Sequence, residues 1–150
     1  MFNIRVANSE DVDDLFVIRT SVKENHLSIA EMAEVGITHE TVPSMLKDPG
    51  RGWVAECDGR AVAFSMADAE EATVFAMFVL PEYEGRGIGR LLMREAEAWL
   101  FHDKGCEEIW LSTDSDPQVR SNGFYRHLGW LAAGALDEGQ TKFVKRATSC

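Results

Sequence analysis

The run Thr73-Val74-Phe75-Ala76-Met77-Phe78-Val79-Leu80 is nearly all apolar and reads as a β-strand. A strand of that kind is expected to be central in its sheet and covered on both faces. It leads at once into Pro81-Glu82-Tyr83-Glu84-Gly85-Arg86-Gly87-Ile88-Gly89-Arg90-Leu91-Leu92, where three glycines alternate with Arg and Ile. Beyond the first glycines, Ile88, Leu91, Leu92, Ala96, Trp99 and Leu100 mark the buried stripe of a helix reaching about Phe101. The chain must therefore open a helix N-terminus beside the end of a buried strand.

Glycine takes positive φ readily and lets a ligand come close to the backbone. Gly85, Gly87 and Gly89 ahead of the helix would turn successive N–H groups toward one point. The helix end there carries about half a positive charge, which favours an anion. Arg86 and Arg90 add mobile positive charge, so a diphosphate is the expected guest, although the carboxylate of Glu84 stands at the entrance. Two phosphate-binding loops are excluded. A Walker loop requires Gly, four residues, then Gly-Lys and Ser or Thr, and no such string exists. A dinucleotide fingerprint would place its third glycine where Arg90 stands, with the glycines directly at the strand end, whereas Pro81 to Glu84 intervene.

The other segments supply the rest of a mixed sheet. Ile4 to Ala7 alternates like a first strand, and Asn8 and Ser9 cap a helix whose spacing continues through Val12, Leu15, Phe16 and Arg19 to about Lys23. Ser28-Ile29-Ala30-Glu31 reads as a capping box for a short helix ending near Gly36. A further short helix is expected from about His39 to Lys47. Gly52 to Cys57 and Arg60 to Met66 flank Asp58-Gly59, a strong hairpin signal. Glu108 to Thr113 is the next strand, Val119 to Leu128 a helix stopped by Gly129, and 130–133 with 140–145 a closing strand pair. Trp53, Phe75 and Trp110 read as strand packing, and Arg5, Arg51 and Arg60 form no visible cluster. The order predicts one α/β (α+β) domain over residues 1–150, with residues 146–150 a loose tail.

Bulk charge narrows the partners. A formal charge of -10 lacks the basic face that nucleic acid requires. The first 72 residues carry 14 acidic and six basic side chains, the remainder 11 and nine, so the glycine turn lies in the nearly neutral half. No apolar run approaches a membrane span and no export signal opens the chain. Three scattered cysteines, Cys57, Cys106 and Cys150, build neither a disulfide framework nor a zinc site, so no metal and a cytoplasmic setting are expected.

A second motif, Asn122-Gly123-Phe124-Tyr125-Arg126-His127-Leu128-Gly129-Trp130, places a tyrosine on a short helix before a glycine stop. Together the two motifs resemble those of the GNAT superfamily of acyl-CoA-dependent N-acyltransferases. That family's main signature, Gln or Arg, two residues, Gly, one residue, then Gly or Ala, falls on Glu84, Gly87 and Gly89. Its second signature, Phe-Tyr, three residues, Gly and an aromatic, is matched by Phe124-Tyr125 and Gly129-Trp130. Element order agrees from Ile4 to Lys145. Three departures stand out: Glu84 for the usual Gln or Arg, Gln118 for a frequent Asn, and Ser121 for a common Ala.

The resemblance implies a single-domain, GNAT-like fold with a mixed, largely antiparallel central sheet flanked by helices. It also implies acetyl-CoA as cosubstrate and direct transfer of an acetyl group to an amine of a small molecule or protein. Backbone groups of Phe78 and Val79 would orient the thioester. Gly85, Arg86, Gly87, Ile88, Gly89 and Arg90 would hold the diphosphate, with Glu84 turned outward. Tyr125 would serve as the acid for the departing thiolate, since a phenol keeps its proton at neutral pH. Glu24 and His26, after the first helix, fall where the family lines its acceptor site, and Asp114 is a third possible base. No extra basic residue calls for an acidic acyl chain. A homodimer is compatible with the family, and a non-catalytic acyl-CoA sensor on the same fold is the competing reading.

Overall fold

The computed structural model describes residues 2–21, 28–114, 120–136 and 140–147. Strand β1 (Phe2–Val6) passes through a 3-10 turn (Ser9–Asp11) into helix α1 (Val12–Ser21), followed by the short helices α2 (Ile29–Glu34) and α3 (Val42–Met45). Strands β2 (Gly50–Cys57), β3 (Arg60–Asp68) and β4 (Thr73–Val79) come next. A 3-10 turn (Pro81–Tyr83) and the glycines then lead into α4 (Ile88–Ala98), which a π-helical turn prolongs to Asp103. Strand β5 (Glu108–Asp114), helix α5 (Arg120–His127) and strands β6 (Leu131–Leu136) and β7 (Gln140–Arg146) complete the chain. Among the described residues these seven strands form one sheet in the order β1-β2-β3-β4-β5-β7-β6. Neighbours are antiparallel except β4 and β5, which are parallel. This is the expected mixed, largely antiparallel sheet.

Local chemistry explains most of the elements. Asp58 (φ 54°) and Gly59 (φ 80°) both adopt the left-handed conformation that a two-residue hairpin turn demands, placing Cys57 opposite Arg60. Ser28 Oγ accepts from Glu31 N at 3.1 Å while Glu31 Oε1 accepts from Ser28 N at 3.0 Å, which closes the expected capping box. Helix α3 is shorter than the segment 39–47 suggested. Thr38 N donates to Thr41 Oγ1 (2.9 Å), Thr41 N to Thr38 Oγ1 (3.1 Å) and Thr41 Oγ1 to Gly36 O (2.6 Å), so side-chain bonds hold this stretch in turns. Pro43, which cannot donate, then tolerates only a first helical turn. The C-terminal strand also reaches further than expected: Arg146 belongs to β7, and Ala147 N still bonds Glu107 O at 2.9 Å.

Helices cover both faces of the sheet. On one, Ile88, Leu92, Met93, Ala96, Trp99 and Leu100 of α4 and its extension are buried, with Trp99 edge-on to Trp53 at 5.7 Å between ring centres. Met93 takes the place that the sequence reading gave to Leu91, which is half-buried. On the other, α1 buries Val12, Leu15, Phe16 and Ile18. Among the described residues no helix is long and apolar enough to cross a membrane.

Strand β4 departs from expectation. It is central, yet its second half is not sealed: Phe75 is 46% exposed and Ala76 to Val79 are only partly buried. The pairing with β3 slips by one residue between Met66 and Ala67, leaving Phe75 as an unpaired bulge that bends β4.

An ionic tie joins β1, β2 and the start of α1. Arg5 gives Nη1 and Nη2 to the Asp11 carboxylate at 2.9 and 2.7 Å and Nε to Glu56 Oε1 at 3.0 Å. Asp11, 6% exposed, also accepts from Asn8 N at 2.8 Å. The guanidinium of Arg5 is the main cause that holds this carboxyl below the usual range, with the Asn8 bond assisting. Its stabilisation is therefore present above the unfolded value of about 3.9 and is lost as pH falls through the lower folded value. Asp11→Asn is expected to cost about 1–3 kcal/mol in urea unfolding at neutral pH. It should also flatten the acid limb of the stability curve; an unchanged limb would disprove the linkage.

Candidate active site

The centre of the molecule is a place where the sheet comes apart. Strands β4 and β5 share one paired position, Thr73 opposite Trp110. That junction is clamped by Thr73 Oγ1 donating to Trp110 O (2.7 Å), Trp110 N to Ala72 O (3.0 Å) and Trp110 Nε1 to Glu71 O (3.0 Å). Beyond it β4 continues without a partner on its β5 side among the described residues, while it stays paired to β3 up to Leu80 N bonding Val62 O at 2.9 Å. Antiparallel pairing alternates, so the bonded pair Leu80–Val62 makes Phe78–Phe64 and Ala76–Met66 bonded pairs as well. The N–H and C=O groups of Met77 and Val79 are consequently the ones turned into the opening. The sequence reading named Phe78 with Val79; the parity of the ladder turns the Phe78 backbone to β3 and aims Met77 and Val79 at the gap.

The glycine turn sits at the open end of β4. Gly85 (φ 76°) and Gly87 (φ 81°) are left-handed, and Gly87 is the N-cap of α4 with no side chain bonded to the helix end. The first intrahelical bond runs from Leu91 N to Gly87 O at 3.3 Å, leaving the N–H groups of Ile88, Gly89 and Arg90 as the orphan donors of the first turn. This is a helix of 11 residues, and its N-terminal donors fit a phosphate oxygen. Gly89 serves a different purpose from the other two. A methyl group there would meet Phe124 Cζ at 3.4 Å and Met77 Cε and Sδ at 3.5 Å, so its bareness keeps the backbone accessible. Ile88 is fully buried and anchors the turn. Arg86 lies over the Tyr83 ring (5.0 Å) and donates to Glu82 O (3.2 Å), whereas Arg90 and Glu84 are exposed.

Helix α5 closes the site from the far side. The Phe124 ring reaches Gly89, so the two sequence motifs meet in space. Tyr125 packs against Phe124 (5.4 Å), Phe143 (6.0 Å) and Trp130 (6.4 Å) and is 8% exposed. Burial pushes its phenol up to about 12, so it holds its proton throughout the neutral range. Glu24, His26 and Gln118 lie outside the described residues, and Asp114 ends β5. Among the described residues no group of three or more His, Cys, Asp and Glu side chains could hold a metal ion.

One residue at this centre escaped sequence reasoning. Arg19 of α1 lies over the Phe78 ring at 4.2 Å, on the face opposite to Met77, and burial lowers its pKa from the usual arginine value. Phe78 in turn packs on Phe64 at 5.7 Å. The available signal was an arginine falling on the buried spacing of α1.

A sheet parted at one parallel pair, with a glycine-led helix N-terminus at the opening and a tyrosine helix across from it, defines an acyl-CoA-dependent N-acyltransferase. The chain belongs to the GNAT acetyltransferase family: the model described as "Acetyltransferase (GNAT) family" matches residues 12–130. It is an acyltransferase of the acetyl-CoA-dependent kind. An uncharacterized N-acetyltransferase of Archaeoglobus fulgidus is 28% identical over 132 residues, covering 81% of this chain and 88% of that one. The fold resembles the PaiA N-acetyltransferase of Thermoplasma acidophilum, solved in complex with coenzyme A, with a TM-score of 0.72, 20% identity and 98% and 99% of the two chains covered. It also resembles the spermidine N-acetyltransferase SpeG of Vibrio cholerae (N152L mutant), with a TM-score of 0.71, 15% identity and 97% and 93% covered.

The buried phenol can be read directly. The chain has two tyrosines, so the tyrosinate absorbance difference between the protein and Tyr125→Phe isolates this group. Its midpoint is expected at about 12. Because folding raises the value from 10.0, the stabilisation from burying the phenol is full below about pH 10 and is lost as pH climbs toward about 12. A midpoint near 10 would show that the ring is accessible to water.

Proposed function

We propose that this chain moves an acetyl group from acetyl-CoA to an amine held on the α1 side of β4, with Tyr125 as the acid for the sulfur. The observation that carries the reading is the meeting of three parts: the unpaired half of β4, the donors at the start of α4, and the Phe124-Tyr125 segment of α5. The chemistry is a single displacement in which a nitrogen–carbon bond forms and the carbon–sulfur bond breaks, the nitrogen losing a proton and the sulfur gaining one.

The chain's residues divide that work. Met77 and Val79 offer backbone groups of β4 to the opening, and an extended amide-bearing substrate would pair with them as a neighbouring strand does. The N–H groups of Ile88, Gly89 and Arg90 take the diphosphate, with Gly85 and Gly87 shaping the turn and Arg90 at its rim. Arg86 joins them by leaving Tyr83. Tyr125 arrives protonated. Its phenol, at about 12, is a weaker acid than a thiol near ~8.5, so it acts first as a hydrogen-bond donor to the developing thiolate. Complete transfer from this resting value would cost about 5 kcal/mol, at ~1.36 kcal/mol per pKa unit. The acidic first half of the chain favours a cationic acceptor, such as a polyamine, an aminoglycoside or a protein amino group. The structural neighbour named for spermidine acetylation supports that class.

Free thiol release, followed across amines, polyamines, aminoglycosides and peptides, tests the activity and finds the acceptor; calorimetry with acetyl-CoA tests the donor. No heat at high acetyl-CoA would overturn the reading. Tyr125→Phe is expected to lower kcat by about 10²-fold while leaving acetyl-CoA affinity nearly unchanged. Equal rates for the two proteins would take the tyrosine out of the mechanism. Gly89→Ala should keep or slightly raise thermal stability, since its methyl meets only ordinary contacts in a helix. It should weaken acetyl-CoA binding at least ~10-fold by covering the donors, a loss of about 1.4 kcal/mol. Unaltered binding would separate Gly89 from the donor site.

A further inference from the structure

Beside the α4 N-terminus an open cleft of about 390 Å³ is lined by Arg90, Arg94 and Glu97 of α4, His127 and Leu128 at the end of α5, and Lys145 of β7. In a chain of formal charge -10, this lining is unusually basic. Its one carboxylate is already held: Glu97 accepts from Lys145 Nζ at 2.7 Å and from Trp130 Nε1 at 3.0 Å. Lys145 is fixed further by its bond to Leu128 O at 2.9 Å. With that pair neutralised, Arg90 and Arg94 give the cleft its charge; both are exposed, and neither forms an ion pair among the described residues. They stand one helical turn apart on the same side of α4, about 6 Å along its axis.

We infer that this cleft seats the 3′-phosphate on the adenosine of the acetyl-CoA donor. The inference rests on the donor reading above. If the diphosphate is bonded to the N–H groups of residues 88–90, the next charged group of coenzyme A is the 3′-phosphate, one ribose ring away. Arg90 borders both positions, and Arg94 continues the line away from the helix end. Each guanidinium offers paired N–H donors suited to phosphate oxygens. The consequence is donor selection. The chain distinguishes free acyl-CoA from acyl donors that end at phosphopantetheine, such as those tethered to carrier proteins, because only the former carries a charge into the cleft.

Calorimetry at low ionic strength, with acetyl-CoA and with 3′-dephospho-acetyl-CoA, tests the assignment on the full chain, on Arg94→Ala and on Lys47→Ala. Lys47 makes the same charge change next to Gly50, which lies at the sheet end away from Val79. The unsubstituted chain is expected to bind acetyl-CoA about ten-fold more tightly than the dephospho form, since two guanidiniums face a phosphate dianion in partial solvent. Arg94→Ala should shrink that preference to about two-fold, and Lys47→Ala should preserve it. Equal binding of both ligands to the unsubstituted chain, or a preference that survives Arg94→Ala, overturns the cleft assignment and leaves acetyl-CoA as the donor. Binding of neither ligand overturns the donor reading and the cleft with it.

Discussion

The bond of Thr73 Oγ1 to Trp110 O and its two companions at the base of the opening govern the rest of the structure. They hold β4 and β5 in one sheet at a single place. If the strands stayed paired beyond it, the backbone groups of Met77 and Val79 would be consumed by β5. If they were not joined at all, the sheet would fall into two. The bulge at Phe75 bends β4 just past the junction, and the glycine turn then delivers the α4 N-terminus to the opened end. On the other half of the sheet, β7 pairs with β5 over its whole length and carries Phe143 under Tyr125. The position of the phenol is thus tied to the same opening.

Much of this was legible in the residues, and the reason is local. A hairpin at Asp58-Gly59, a capping box at Ser28 and left-handed glycines at 85 and 87 depend on neighbours within a few positions. What could not be read depends on partners far along the chain. Apolar residues in β4 suggested burial on both faces, yet the bulge at Phe75 and the parting from β5 leave the second half of the strand only partly buried. Whether Phe78 or Met77 presents its backbone to the gap depends on pairing parity with β3, which no stretch of β4 encodes by itself. Arg5 gave no sign of its ties to Asp11 and Glu56, because Glu56 lies 51 residues away. The basic cleft is assembled from α4, α5 and β7 and is likewise invisible in any one of them.

Strand alternation also divides labour across the sheet. Met77 points to α4 and Phe124, while Phe78 points to α1 and the guanidinium of Arg19. In the function proposed above, donor and acceptor would approach one strand from opposite faces. The electrostatics of the halves agree with that division, since the acidic excess is concentrated in residues 1–72 and the cleft arginines, Arg90 and Arg94, lie in α4.

An unpaired length of strand is ordinarily a hazard, because its free amides recruit other chains and seed aggregates. Here that length, from Met77 to Val79, lies within the sheet instead of at its margin, with helices over both faces. A foreign strand bearing side chains above and below would collide with α1 and α4. In the function proposed above, the same recess that leaves the β4 amides open to a thin, sparsely substituted amide chain would keep foreign strands from pairing with them.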